Sequence, residues 1–270
     1  MRLYTSGIRK LVRRLATWVT FGLLTGLLVL IMVAVGATAK QAGGTDAERA
    51  AALSLVTFPA AYDVILSFIL GLGGLFAVTY GAAIAGSEWT WGTLKNAVAR
   101  GESRSRYTLL SFAAIATVIA IGLVLAFAIG VIAALVGASL AGVSTAGLSD
   151  AATLGRLPEQ FLRGGLAIIE EGALGFAIAT VARSQLAGIG AGIALYFAET
   201  FAGIFLPDVV KFLPFHVANA AVATGDSGFG GGGQQIVALD ANTALALVAI
   251  WLVGSLVVAA VVTERAEISG

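Results

Sequence analysis

The chain has no cysteine, a single histidine (His216) and four prolines in 270 residues, and only 11% of it is charged. Without cysteine there is no disulfide, no thiolate nucleophile and no zinc-thiolate site. One histidine is too few for a histidine-built metal centre, so no metal site is expected. The shortage of charge is the more telling one, since soluble domains carry roughly 25% charged residues. Apolar residues fill the gap: 59% of the chain is hydrophobic and the mean hydropathy is +0.96. The 35 glycines are scattered through the apolar runs, as suits helices that pack closely in lipid. The exception, Gly228 to Gly233, reads as a flexible loop. This composition predicts an all-α integral membrane protein forming a single transmembrane domain.

A helix needs about 20 mostly apolar residues to cross a bilayer. Six runs qualify: 17–38, 64–85, 109–136, 161–182, 186–206 and 239–262. The third is longer than a crossing requires and is expected to tilt or project. The fourth is interrupted by Arg163, Glu170 and Glu171. With both termini in the cytoplasm, eleven basic residues fall on the inner side and five (Lys40, Arg49, Arg156, Arg163 and Lys211) on the outer side or its edge. That asymmetry predicts a multi-pass protein of the inner (cytoplasmic) membrane with both ends inside. Ala37-Thr38-Ala39 fits a signal-peptidase site, but the run before it exceeds the roughly 7–15 apolar residues of a secretory signal. An uncleaved first span is therefore expected.

Ahead of that span, Tyr4, Ile8, Leu11, Val12, Leu15 and Val19 recur at helical spacing, with Arg2, Arg9, Lys10, Arg13 and Arg14 opposite. Residues 1–16 thus read as a basic amphipathic helix lying along the inner membrane surface. The plainer alternative is an ordinary basic flank of the first span.

The most informative stretch is 87–106, between the second and third runs. It holds Lys95, Arg100, Arg104 and Arg106, and two of the four tryptophans, Trp89 and Trp91. Trp91, Leu94, Val98 and Trp89 give it an apolar stripe, and Lys95, Arg100 and Arg104 a basic one. A short amphipathic helix of this kind can dock in a groove on a partner; alternatively it is a connecting loop with inner-side charge. No G-x-x-x-x-G-K-[ST] phosphate loop occurs, so no nucleotide cradle is present. No catalytic Ser/His/Asp set occurs either, and neither a catalytic residue nor a cofactor-binding residue is assigned. Gly230 to Gln235, GGGGQQ, superficially resembles a cassette signature, but it falls on the outer side and reads as a loop.

The order Glu88, then Gly92-Thr93, then a basic helix carrying Lys95 and ending near Arg100, then Gly101-Glu102-Ser103-Arg104, resembles the cytoplasmic loop of permease subunits of type-2 ATP-binding-cassette exporters. Gly101 stands where that family frequently has proline, and the lysine it often carries within the third span is absent around Ser111 and Phe112. The Ala182–Ser184 turn, the segment from Leu206 to Ala221 and the tail from Thr263 to Ile268 resemble the corresponding family segments in order. The resemblance implies six spans preceded by an interfacial helix, a coupling helix after the second span and short outer-leaflet helices before the sixth. It implies that two copies, or two related chains, pair with ATP-binding-cassette subunits that hold ATP and Mg. Glu88, Gly92, Thr93, Lys95, Arg100 and Arg104 would then couple to the ATPase. Phe212, Pro214, Phe215 and His216 would close the outer side of the pathway. The other expected partner is the lipid bilayer; no nucleic acid is expected.

Glu170 and Glu171 fall near the middle of the fourth run and Glu199 within the fifth. Such intramembrane carboxylates are functional candidates by default. Three readings stand open: they line a translocation pathway and favour cationic or amphipathic cargo, they bridge helices in protonated form, or they relay protons. The leading expectation is an exporter subunit moving a hydrophobic or amphipathic peptide, antibiotic, drug-like or lipid-related molecule. The alternatives are a proton-coupled secondary transporter and a non-transporting membrane scaffold.

Overall fold

Two helices that are not neighbours in sequence carry the centre of the molecule. In the computed structural model, which describes residues 2–38, 45–222 and 239–266, the chain runs through eleven α-helices among the described residues, and no strand occurs there. They are α1 (Arg2–Val12), α2 (Leu15–Thr38), α3 (Asp46–Ser54), α4 (Ala60–Thr90), α5 (Thr93–Ala99), α6 (Arg104–Ala141), α7 (Ala151–Ala182), α8 (Gln185–Phe205), α9 (Pro207–Val210), α10 (Pro214–Val222) and α11 (Ala241–Arg265). Six of these, α2, α4, α6, α7, α8 and α11, are long and apolar enough to cross a membrane. The protein is a multi-pass membrane protein. The most apolar stretch is 56% buried in α4 and 67% buried in α7, against 17–33% in the other four, so α4 and α7 form the core and the others wrap them.

The α4–α7 crossing depends on missing side chains. A Cβ on Gly81 would fall 2.1 Å from the Gly172 carbonyl oxygen, and one on Gly175 would fall 1.9 Å from that of Val78. Only glycine lets the two backbones touch this closely. Around the crossing sit two apolar clusters. One joins α2, α4 and α6 through Leu28, Met32, Ile65, Ile69 and Leu123. In it, the rings of Tyr62, Phe127 and Phe161 follow one another, with successive centroids 6.0 and 4.8 Å apart. The other docks α1 against α4, α6 and α7 through Leu11, Ile84, Phe112, Ile115 and Phe176.

Several boundaries differ from the sequence expectation. Helix α1 stops at Val12, and Leu15 and Val19 belong to α2, so the amphipathic helix is shorter than 1–16. The cause is local: the Thr17 hydroxyl donates to the Leu11 carbonyl (2.7 Å) and Trp18 Nε1 to that of Val12 (2.8 Å), capping α1 from the following helix. The expected segment 87–106 is also narrower. Ser87–Thr90 form the last turn of α4, and Arg104–Arg106 the first of α6. Helix α7 begins ten residues before its apolar run, capped by Asp150, which accepts from the Thr153 amide (2.9 Å), and it contains Pro158. At about 1.5 Å per residue, the 38 residues of α6 far exceed a hydrocarbon core of about 30 Å, so this helix tilts or projects. The Gly228–Gly233 run, Ala39, Lys40, Asp226 and the tail after Ala266 lie outside the described residues.

Candidate functional site

Glu88 is the polar centre of the end of the bundle that carries α1 and α5. It lies in the last turn of α4 and is 7% exposed. A carboxylate so placed needs partners, and four elements supply them. Lys10 of α1 donates to Oε1. Arg14, between α1 and α2, approaches the same oxygen at 3.5 Å while its Nη1 donates to Ser87 Oγ at 2.7 Å. The hydroxyls of Thr93 in α5 and Tyr107 in α6 donate to Oε2. One side chain therefore ties α1, α4, α5 and α6 together. The Arg14 guanidinium also stands 4.9 Å from the centre of the Trp91 ring, and Arg183, in the turn between α7 and α8, stands 5.4 Å from that of Trp89.

The chain passes from α4 to α5 through Gly92, whose φ of 63° lies in the left-handed region that glycine adopts without strain. This turn brings Thr93 back under Glu88. Helix α5 buries Leu94 and presents Lys95, with Arg100 exposed at its end. Arg104 goes elsewhere: its Nη1 donates to the carbonyls of Glu264 (2.9 Å) and Ala266 (2.7 Å) at the end of α11. Of the six residues read as coupling residues, Glu88, Gly92 and Thr93 come together, Lys95 and Arg100 share the outer side of α5, and Arg104 clamps a different helix.

A second polar group lies deep between α7, α8 and α10. Glu170, Glu171 and Glu199 are 0%, 3% and 1% exposed, and they lie close enough to interact electrostatically. One oxygen of Glu199 accepts from the Phe215 and His216 amides, at 3.1 and 3.3 Å. These donors are free because α10 begins at Pro214, and a helix N-terminus suits an anion. His216 Nδ1 lies 3.5 Å from the same oxygen. Both oxygens of Glu170, one of Glu171 and the other of Glu199 are buried without a hydrogen-bond partner. Glu171 faces Gly74 of α4, where a Cβ would fall 2.5 Å from its carboxylate. Phe215 is buried against Tyr196, ring centroids 5.0 Å apart. Phe212 is exposed; its carbonyl accepts from Trp251 Nε1 at 3.0 Å, and its ring centre lies 5.4 Å from Lys211 Nζ. Pro214, Phe215 and His216 thus join Glu199, and Phe212 does not.

No family model matches this chain, and no curated protein matches it. Among the described residues, no group of three or more His, Cys, Asp and Glu side chains is arranged to hold a metal.

Sequence reading missed three members of the Glu88 site. Lys10 in α1 and Arg14 just beyond its end are four residues apart, and that spacing signals one shared face. Their partner 78 and 74 residues away leaves no local trace, so both read as headgroup-facing cations. Tyr107 carries no sequence signal beyond its place in the first turn of the third span.

Proposed function

We propose that this chain is the membrane-spanning subunit of an ATP-driven exporter, working as a pair with a second copy or a related chain and with separate ATP-binding-cassette subunits. The observation that carries the reading is the Glu88 junction. A short helix between two membrane-crossing helices is tied by one buried carboxylate to both of them and to the N-terminal amphipathic helix. A push on α5 therefore reaches α1, α4 and α6 together. Helix α5 offers Lys95 and Arg100 toward a partner, and α1 lies along the cytoplasmic membrane surface. The cargo class that fits is hydrophobic or amphipathic, given how few polar groups the crossing helices carry.

The test is ATP turnover in lipid discs by the cassette subunit that co-purifies with the tagged chain from its native membrane. Arg100→Glu is expected to weaken association, and Glu88→Gln to leave the complex assembled while lowering permease-dependent turnover. Glu88→Gln should also raise amide hydrogen exchange in α1, since it removes a charged partner from Lys10 and Arg14. Absence of any cassette subunit from the purified protein, with wild-type exchange in Glu88→Gln, would sink the proposal.

The partnerless oxygens of Glu170, Glu171 and Glu199 favour a second reading, a proton-coupled transporter, because intramembrane carboxylates without a counter-charge are candidate proton-exchange sites. Transport that persists without ATP, collapses with the proton gradient and is lost in Glu170→Gln would select it.

A further inference from the structure

A cavity of about 200 Å³ lies between α1, α2, α4, α6 and α7, and no residue of α8 or α10 lines it. Ile8 and Val12 of α1 form one wall, and it reaches inward past Tyr80 to Gly73, Leu123 and Ile168. Its lining is apolar, and the Thr17 and Tyr80 hydroxyls that reach it bond to each other at 2.8 Å. Trp18 of α2 and Ile121 and Leu125 of α6 line it as well and are 50–59% exposed. The cavity thus opens sideways on the apolar surface between α2 and α6. In a bilayer that surface faces acyl chains. An empty apolar space there forfeits dispersion contacts on every side, and no water stands ready to fill it. Its volume is below the roughly 300–1,000 Å³ of sites for drug-sized ligands, and it suits a single flexible chain.

The charges beside it define the headgroup. Four cations cluster around the end of α1: Arg9 and Lys10 within it, and Arg13 and Arg14 just beyond it. Lys10 and Arg14 are engaged by Glu88. Arg9 and Arg13 directly follow Ile8 and Val12, the residues that wall the cavity, and both are exposed, with no ion-pair partner among the described residues. Two exposed cations, each next in sequence to a residue that walls an acyl-sized opening, match an anionic headgroup. We propose that this cavity is a binding site for one anionic phospholipid, its chain held between α2 and α6 and its headgroup held by Arg9 and Arg13. The site does not depend on an ATP-binding partner.

The experiment is native mass spectrometry of the delipidated full chain in mild detergent, titrated with phosphatidylglycerol or phosphatidylcholine of identical chains. Wild type is expected to retain one phosphatidylglycerol at concentrations where phosphatidylcholine is lost. Arg9→Gln combined with Arg13→Gln should weaken phosphatidylglycerol about thirtyfold, the scale of two cations near an anionic surface, and leave phosphatidylcholine unchanged. Gly122→Leu fills the cavity from α6, where an added Cβ meets only Phe21 at 3.9 Å; it should weaken both lipids alike, about tenfold. Gly73→Ala, whose methyl group meets Ile168 at 3.6 Å, is the milder filling and should lie between; it serves if Gly122→Leu does not fold. Equal retention of the two lipids by wild type, or wild-type phosphatidylglycerol affinity in a folded cavity-filling variant, overturns the proposal.

Discussion

Adding one methyl group at Gly81 places a carbon 2.1 Å from the Gly172 carbonyl oxygen, whereas the same addition at Gly190 meets nothing within 4 Å. The obstacle at Gly81 is backbone, which cannot rotate aside, so α4 and α7 must separate along their length. Gly81→Ala is expected to cost about 3 kcal/mol. Gly190→Ala, on an open face of α8, should be neutral or gain up to about 1 kcal/mol from helix propensity. Thermal unfolding of the two variants in the same detergent checks the contrast, and equal Tm values would contradict a backbone-to-backbone crossing of α4 and α7. Glu88 shows the opposite economy. Its removal leaves the helices room to stay, but it strips Lys10, Arg14, Thr93 and Tyr107 of a shared acceptor.

At the scale of the element, the start of α7 rests on Asp150. Its carboxylate accepts from Thr153 at the helix N-terminus, and that bonding holds its pKa below the ordinary value of 3.8. A depressed carboxylate contributes stability that is fully present above its unfolded pKa and is lost as pH falls through the folded value. Asp150→Ala should therefore lower Tm near neutral pH, and the gap from wild type should shrink as pH drops below about 4. A gap that stays constant across this range would show that Asp150 does not act through its charge. Helix ends of this kind limited what could be read from the sequence. The six long apolar helices were legible because hydrophobic runs report burial in lipid directly. The break after Val12 was not, because it depends on Thr17 and Trp18 reaching back across a turn. The carboxylates of Glu170, Glu171 and Glu199 stood out singly, as charges in apolar runs. Their gathering, with Glu199 beside His216, was invisible, since it depends on how α8 and α10 meet α7. Arg104 sat in the segment read as coupling, yet its hydrogen bonds run to carbonyls, which leave no pattern in side-chain order.

At the scale of the whole molecule, the ends of the bundle differ in charge. One end gathers α1, α5, Arg183 and the close of α11, with eleven of the sixteen basic residues of the chain. If that end is cytoplasmic, an impermeant maleimide should label Arg100→Cys only after the cells are permeabilised, and Ser149→Cys in intact cells. Both positions are exposed, and the natural chain has no cysteine to add background. The reverse pattern would invert the topology. That same end is closed by Arg104, whose bonds to Glu264 and Ala266 span 160 and 162 residues. A clamp of this reach has a consequence in time. The start of α6 leaves the ribosome long before the carbonyls that will receive Arg104 exist, so this corner of the protein stays open throughout synthesis and is sealed only when α11 arrives.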